Sequence, residues 1–330
     1  MACSTADDDT FRQQARAHNG LISPYHELRN SLSKLKLEKL AVGSDGRNRC
    51  MLSPFGATTS RHTPSNAKFI FGTATWIRGL IKPEPGTGVC YVDWKQQELG
   101  IAAALSNDQA MMTAYTSGDP YLAFARMAGV VPANATKSSH PEVRAIYKVC
   151  MLAVQYGMGA KALAQQTSTL NVSAQKLLQA HRDTFREFWK WSDRVQNVGF
   201  ATGSLKSRFG WQRRVSNMDS PASVRNFPVQ ANGAEMLRLA LIKMTDAGIR
   251  VCAPVHDAVL VEVDCEHARD QIETAQTAMR WASEQVLGGF PLGTDAKLVL
   301  SPDRYMDVER GEAFWNVVME LLRSPSYEVQ

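Results

Sequence analysis

Two aspartates stand 164 positions apart, each at the tip of an apolar run: Asp93 in Gly88-Val89-Cys90-Tyr91-Val92-Asp93-Trp94, and Asp257 in Pro254-Val255-His256-Asp257-Ala258-Val259-Leu260. A carboxylate placed where a buried strand emerges is rigidly held and partly desolvated, which suits a divalent cation. Two of them holding two metal ions about 3.5–4 Å apart stabilise both the attacking and the leaving oxygen of an in-line displacement. Between the two lies Arg144-Ala145-Ile146-Tyr147-Lys148. Arg144 and Lys148 are four apart and Gln155 seven further on, so the three project from one helix face. Cations on a rigid helix grip a triphosphate and neutralise charge that develops during its transfer. Tyr156, beside Gly157, offers a flat surface on which a base can stack. Each piece alone has a plainer explanation, as a turn aspartate or a solvated basic face. Together they describe a phosphoryl-transfer site.

The elements that must position these residues follow the order strand, helical insertion, helix, hairpin. That order predicts an α+β catalytic layer interrupted by a helical subdomain. A Pro83-Glu84-Pro85-Gly86 turn punctuates the start of the Asp93 strand. Helical signals dominate from 96 to 200. Ser139-His140-Pro141-Glu142 reads as a capping box, so a helix is expected from about 140, stopped by Gly157 and Gly159. Further helices are expected over 170–198 and 228–247, with two strands over 249–263 meeting at His256-Asp257. Residues 11–41 also look helical, Leu32, Leu35 and Leu40 alternating with Lys34, Lys36 and Lys39. Residues 42–75 read as loops and short strands.

Composition bounds the reading without deciding it. The chain has 330 residues, 44% hydrophobic and 21% charged, with a net charge of +5. This is ordinary for a folded domain, and its mild basic bias permits nucleic-acid binding. The six cysteines are scattered, which argues against a zinc site or a disulfide framework. No apolar stretch is long enough to span a membrane, and the N-terminus is acidic without an apolar signal core. The expected location is cytoplasmic, with no membrane partner.

Taken in order, the residues resemble the polymerase module of family A DNA polymerases, the bacterial DNA polymerase I type. Tyr91-Val92-Asp93 followed by Gln97-Glu98-Leu99 is similar to motif A. Arg144, Lys148 and Tyr156-Gly157 match the spacing of motif B, the fingers helix, and Val255-His256-Asp257 matches motif C. Arg213-Arg214 looks like the family's basic turn, and Asn226-Phe227-Pro228-Val229-Gln230 like its Asn-x-Pro-x-Gln helix start. The resemblance implies a right-hand architecture, with an antiparallel palm sheet and a helical fingers subdomain. It divides the chain into a thumb remnant at 1–45, palm at 46–100, fingers at 101–205 and palm again at 206–330.

Carried over by position, the resemblance makes Asp93 and Asp257 ligands of two Mg²⁺ ions, with Mn²⁺ as an alternative. Arg144 and Lys148 would hold the nucleotide phosphates, Lys148 also protonating the leaving pyrophosphate. Glu98 with Tyr156 would crowd the sugar 2′ position, and Gln97 and Leu152 would lie at the nucleotide. Arg61, Asn226, Gln230, His256, Arg213, Arg214, Lys34 and Lys36 would contact DNA. The implied activity is template-directed extension of a primer with deoxynucleotides, in replication or repair. Proofreading is not expected, and a partner protein would supply thumb, clamp or exonuclease function. Two alternatives stand beside it: a non-catalytic nucleic-acid-binding subunit, and a polymerase or reverse transcriptase with relaxed sugar or template choice.

The chain departs from the family pattern at four places. Ala258 stands where a glutamate is usual, Leu152 where the fingers helix carries an aromatic, Lys95 where serine is common, and Gly100 where arginine usually follows Glu-Leu.

Overall fold

The computed structural model describes Tyr25, Leu37, residues 40–64 and residues 68–323. The helix expected over 11–41, with Lys34, Lys36 and Lys39, falls outside the described residues apart from Tyr25, Leu37, Leu40 and Ala41. The chain divides into two compact units. In the smaller, β1 (Leu52–Ser53) pairs antiparallel with β2 (Thr63–Pro64). Its aromatic centre joins Trp76 to Phe314 and Trp315 of the helix Glu312–Arg323, at ring separations of 5.5 and 6.3 Å.

The larger unit comprises Phe55–Arg61 with Cys90–Leu298. Its sheet uses β3 (Thr87–Trp94), β6 (Arg250–Val255), β7 (Ala258–Asp264) and β8 (Thr294–Leu300), in the order β6-β7-β3-β8. A separate hairpin pairs β4 (Ser204–Lys206) with β5 (Gln212–Arg214). Alternation along β3 explains its placement. Cys90, Val92 and Trp94 are buried, while Tyr91 and Asp93 between them are only half-buried. In β7, Val259, Val261 and Val263 are fully buried; each such side chain contributes roughly 1.5–3 kcal/mol.

Between β3 and β6 run eight helices: α1 (Gln97–Ser106), α2 (Gln109–Thr116), α3 (Pro120–Met127), α4 (Pro141–Gln155), α5 (Ala160–Thr167), α6 (Asn171–Thr184), α7 (Arg186–Thr202) and α8 (Pro221–Asp246). A ninth, α9 (Ala268–Val286), packs along α8. The mixed α+β class expected from the sequence is the one observed.

One cap and two boundaries differ from expectation for identifiable reasons. α4 begins at Pro141 as expected, but no capping box forms. The Ser139 hydroxyl accepts from Thr136 N at 2.9 Å instead, and His140 occupies the N-cap without capping the helix, its Nδ1 lying 2.8 Å from Ser139 Oγ. The long helix expected over 170–198 breaks at Phe185, which is wholly buried. Buried Asp108 explains the break, because its carboxylate accepts from Met111 N (2.9 Å) and Phe188 N (3.0 Å), so it caps α2 and the first turn of α7 together. The helix expected from 228 starts at Pro221, with Ser220 as N-cap, and runs through Pro228. Proline there forgoes one backbone bond without ending the helix.

Gly100 shows how packing shaped one departure from the family pattern. A Cβ at this buried position would run into Leu292 and come within 2.9 Å of the Tyr115 ring. The Tyr115 hydroxyl donates to Lys95 O (2.9 Å) and accepts from Gly293 N (3.1 Å), so the ring cannot retreat freely. An arginine has no room. Gly100→Ala is expected to lower unfolding free energy by roughly 1–3 kcal/mol through overpacking, despite alanine's better helix propensity. Denaturant unfolding checks it, and an unchanged or raised midpoint would contradict the packing account.

Candidate active site

Asp93 is the penultimate residue of β3, and Asp257 occupies the second position of the two-residue turn between β6 and β7. β3 and β7 are neighbours, and Trp94 N donates to Asp257 O at 3.5 Å, so the two carboxylate-bearing positions lie side by side. The backbone beside them is strained. His256 has φ 56°, Gln96 has φ 39° and Ser60 has φ 58°, all left-handed conformations in non-glycine residues. Such positions cost on the order of 1–3 kcal/mol each and persist only where the surroundings enforce them. Here they immediately precede Asp257, the Gln97-Glu98 pair and Arg61.

The electrostatics are those of crowded negative charge. Burial first, then the charges of Asp257 and Asp295, push Asp93 up to about 6, with Lys95 opposing. Asp257 is also raised, chiefly by burial, while His256 and Arg61 pull it down. Lys95 Nζ lies 2.9 Å from Asp295 Oδ1, which partly offsets the third carboxylate. Among the described residues no group of three or more His, Cys, Asp or Glu is arranged to hold a metal ion. Magnesium does not require one, since one or two carboxylates together with substrate phosphates commonly hold it. The donor chemistry of Asp93 and Asp257, two crowded carboxylates, therefore fits a divalent cation. Ala258, which follows, is fully buried in β7.

Glu98, in the first turn of α1, gathers the other elements. Its Oε1 accepts from Tyr156 Oη at 3.1 Å and from Gln230 Nε2, and lies 3.6 Å from Arg61 Nη2. Residues from the 55–61 loop, α1, the end of α4 and the middle of α8 thus meet at one carboxylate oxygen. Burial and the Glu98 charge push the Tyr156 hydroxyl up to about 12, so it stays a donor.

On α4, Lys148 and Leu152 are exposed one turn apart, and exposed Tyr156 follows at the C-cap. Arg144 is engaged elsewhere: its Nε donates to Asp119 Oδ2 at 2.5 Å, and its guanidinium lies 5.3 Å from the Tyr121 ring centre. Gln97 is 3% exposed and faces Gly233 of α8, its amide nitrogen unpartnered. Asn226 Oδ1 is likewise buried without a partner. His256 is exposed at the turn. Arg213 is buried and holds the approach to α8 through Asp219 (2.6 Å) and Ser223 (2.8 and 2.9 Å), whereas Arg214 is exposed. Lys34 and Lys36 lie outside the described residues.

Sequence reasoning missed the supports of this site. Arg238 of α8 donates to Ser60 O (2.6 Å) and Ser60 Oγ (3.0 Å), and its guanidinium lies 4.4 Å from the Phe55 ring centre. Phe55 stacks on Trp211 at 5.3 Å, and Trp211 Nε1 donates to Thr58 O at 2.9 Å. These contacts fix the loop that carries Arg61. Asp119 had a readable signal, since Asp119-Pro120 is a helix-start signature, and its Oδ1 accepts from Leu122 N at 3.2 Å. Asp295 had none.

A helical insertion between a carboxylate-bearing strand and a carboxylate-bearing hairpin in one sheet defines the palm-and-fingers class of polymerase folds. A model of DNA polymerase family A matches residues 18–298, and the chain belongs to that family. It is 27% identical to DNA polymerase I of Aquifex aeolicus (strain VF5) over 289 residues, covering 84% of this chain and 49% of that protein. It is 25% identical to the DNA polymerase of Mycobacterium phage L5 over 271 residues, covering 80% of this chain and 43% of that one. The chain spans half or less of these curated relatives. Its fold matches the POL domain of Pol1 from M. smegmatis, determined in complex with DNA primer-template and dNTP, with a TM-score of 0.75 at 22% identity, over 90% of this chain and 56% of that one.

The raised Asp93 gives a pH signature in metal-free buffer. A carboxyl whose folded pKa is raised loses stabilisation as pH climbs from its ordinary value of 3.8 through about 6. Asp93→Asn is therefore expected to raise the melting temperature in EDTA at pH 8 but not at pH 4. Equal melting temperatures at pH 8 would contradict the crowded-carboxylate reading.

Proposed function

We propose that this chain is the palm and fingers portion of a template-directed DNA polymerase that extends a primer 3′ end with deoxynucleotides. The observation that supports it best is the convergence of Arg61, Tyr156 and Gln230 on Glu98, next to the Asp93–Asp257 pair. In this reading residues 46–100 and 206–330 form the palm, 101–205 the fingers, and 1–45 belong to the thumb. Asp93 and Asp257 hold two Mg²⁺ ions, or Mn²⁺ in their place. When bound, these ions neutralise charge on the phosphate oxygens and favour the ionised form of the primer hydroxyl.

The chain's own groups do the positioning. The primer 3′ hydroxyl loses its proton to water, its oxygen attacks the α-phosphorus, the bond to the bridging oxygen breaks, and pyrophosphate leaves. Lys148, exposed on α4, pairs with the phosphates and gives a proton to the departing pyrophosphate. Arg144 joins it by exchanging Asp119 for a phosphate oxygen, an exchange between like charges that leaves it paired throughout. Tyr156 provides a face for the base, and with Glu98 it closes the space a ribose 2′-hydroxyl would need. Leu152 supplies an apolar contact beside the sugar, and Gln97 backs this region from its buried position. Arg61, Gln230 and Asn226 meet primer and template near the reacting end, His256 faces the primer terminus, and Arg214 reaches the DNA backbone. Arg213 serves by holding the turn, and Lys34 and Lys36 add phosphate contacts. A partner protein would supply thumb, clamp or exonuclease function.

Primer extension with the purified chain, a primed template, Mg²⁺ and dNTPs tests the proposal. Extension is expected, and Asp257→Ala should lower its rate by more than about 100-fold, beyond what loss of an outer-sphere metal partner typically costs. Wild type and Asp257→Ala behaving alike, whether both inert or both active, would refute it.

A further inference from the structure

A second feature of the larger unit lies apart from the carboxylates. A groove of about 580 Å³ opens between α7 and the β4–β5 hairpin. Arg194, Lys206 and Arg208 line it, all three exposed, and among the described residues none of them is paired with a carboxylate. The carboxylates nearby are committed elsewhere: Asp193 to Arg225 at 2.8 Å and Glu187 to Lys190 at 2.7 Å. Between the cations the wall is apolar, formed by Trp191, Val195, Val198 and Leu205, with Val198 44% exposed. At the hairpin tip, next to Arg208, Phe209 is 56% exposed.

The hairpin is held from beneath rather than hanging free. Buried Glu235 of α8 accepts from Ser207 Oγ and from Phe209 N (3.2 Å), and Asn232 Oδ1 accepts from Arg208 N (3.0 Å). Ser207 Oγ in turn accepts from Trp211 N at 2.8 Å. The Glu235 charge is thus spent inward on the hairpin, and the cations outside keep theirs. Because the backbone of Arg208 and Phe209 is fixed in advance, a ligand would not bear the cost of ordering it.

We propose that this groove binds a single strand of nucleic acid, its phosphates on Arg194, Lys206 and Arg208 and its bases against the apolar wall and Phe209. This rests on the nucleic-acid reading above and adds a strand-binding surface to it. The volume falls in the range that takes a nucleotide-sized unit. Cations interleaved with apolar and aromatic surface are the chemistry of single-strand recognition, where bases stack without sequence preference. An acidic peptide would satisfy the cations but leave that wall unmatched.

Fluorescence anisotropy tests it with the full chain, a labelled twelve-residue oligo(dT) and a labelled blunt duplex, titrated across salt concentrations. In the triple variant Arg194→Gln, Lys206→Gln, Arg208→Gln, the slope of log affinity against log salt for the single strand should shrink by about 2, since each phosphate contact contributes about 0.7. Phe209→Ala should weaken strand binding roughly fivefold or more at fixed salt, with little change in slope. Duplex affinity and melting temperature should stay at wild-type values. An unchanged strand slope, an equal loss for duplex and strand, or displacement of the strand by polyglutamate at matched charge concentration would overturn the proposal. If wild type binds neither nucleic acid, both this inference and the function proposed above fail; wild type binding the duplex while the triple variant keeps its strand slope sinks this inference alone.

Discussion

Glu98 Oε1 accepts hydrogen bonds from Tyr156 and Gln230 and lies within ion-pair reach of Arg61, and much of the site depends on that shared oxygen. The Glu98 side chain is 20% exposed, so its charge is largely withdrawn from water and must be met by protein groups. Meeting it draws together four segments that are remote in sequence. The consequence is positional: Tyr156 is held at the end of α4, Gln230 on α8 faces α1, and Arg61 is directed where it also lowers the pKa of Asp257. Removing any one donor leaves a partly desolvated carboxylate short of partners, which costs more than an average hydrogen bond contributes.

The rest of the arrangement trades stability for placement. Asp257 and Asp295 both repel the Asp93 charge at the end of the sheet, and three non-glycine residues beside the site hold left-handed backbone. Neither feature stabilises the free protein. Both are sustained by the packed strands β3 and β7 and by the ties from α8, where Arg238 and the Phe55–Trp211 stack hold the 55–61 loop. A rigid buried sheet with strained, charged tips is the expected form of a preorganised binding site.

How much of this was legible in the sequence follows physical range. The apolar run of β3 and the hairpin at His256-Asp257 are local patterns, and both elements were readable with nearly correct ends. Helix boundaries were less so, because their determinants reach across the chain: Asp108 sets the start of α7 from 80 positions away. Pro228 misled for the opposite reason, since its local rule as a helix start yielded to a helix already begun at Ser220. The family motifs placed Glu98, Tyr156 and Gln230 in one region, but no spacing reveals that they share an oxygen. Arg144 and Arg213 looked alike as candidate anion binders. The structure separates them, Arg144 half-buried and paired with Asp119, Arg213 buried against Asp219. Gly100, odd against the family pattern, becomes intelligible only once Tyr115 and Leu292 are seen to fill its space.

The central claim is that the Glu98 cluster sets which sugar the site accepts. Single-nucleotide insertion kinetics, comparing kcat/KM for a deoxynucleotide with that for the matching ribonucleotide, test it most directly in wild type and Glu98→Ala. The account predicts a strong wild-type preference for the deoxynucleotide that falls at least about tenfold in the variant, a change of 1.4 kcal/mol or more in discrimination. A variant that extends primers with the wild-type ratio would contradict it.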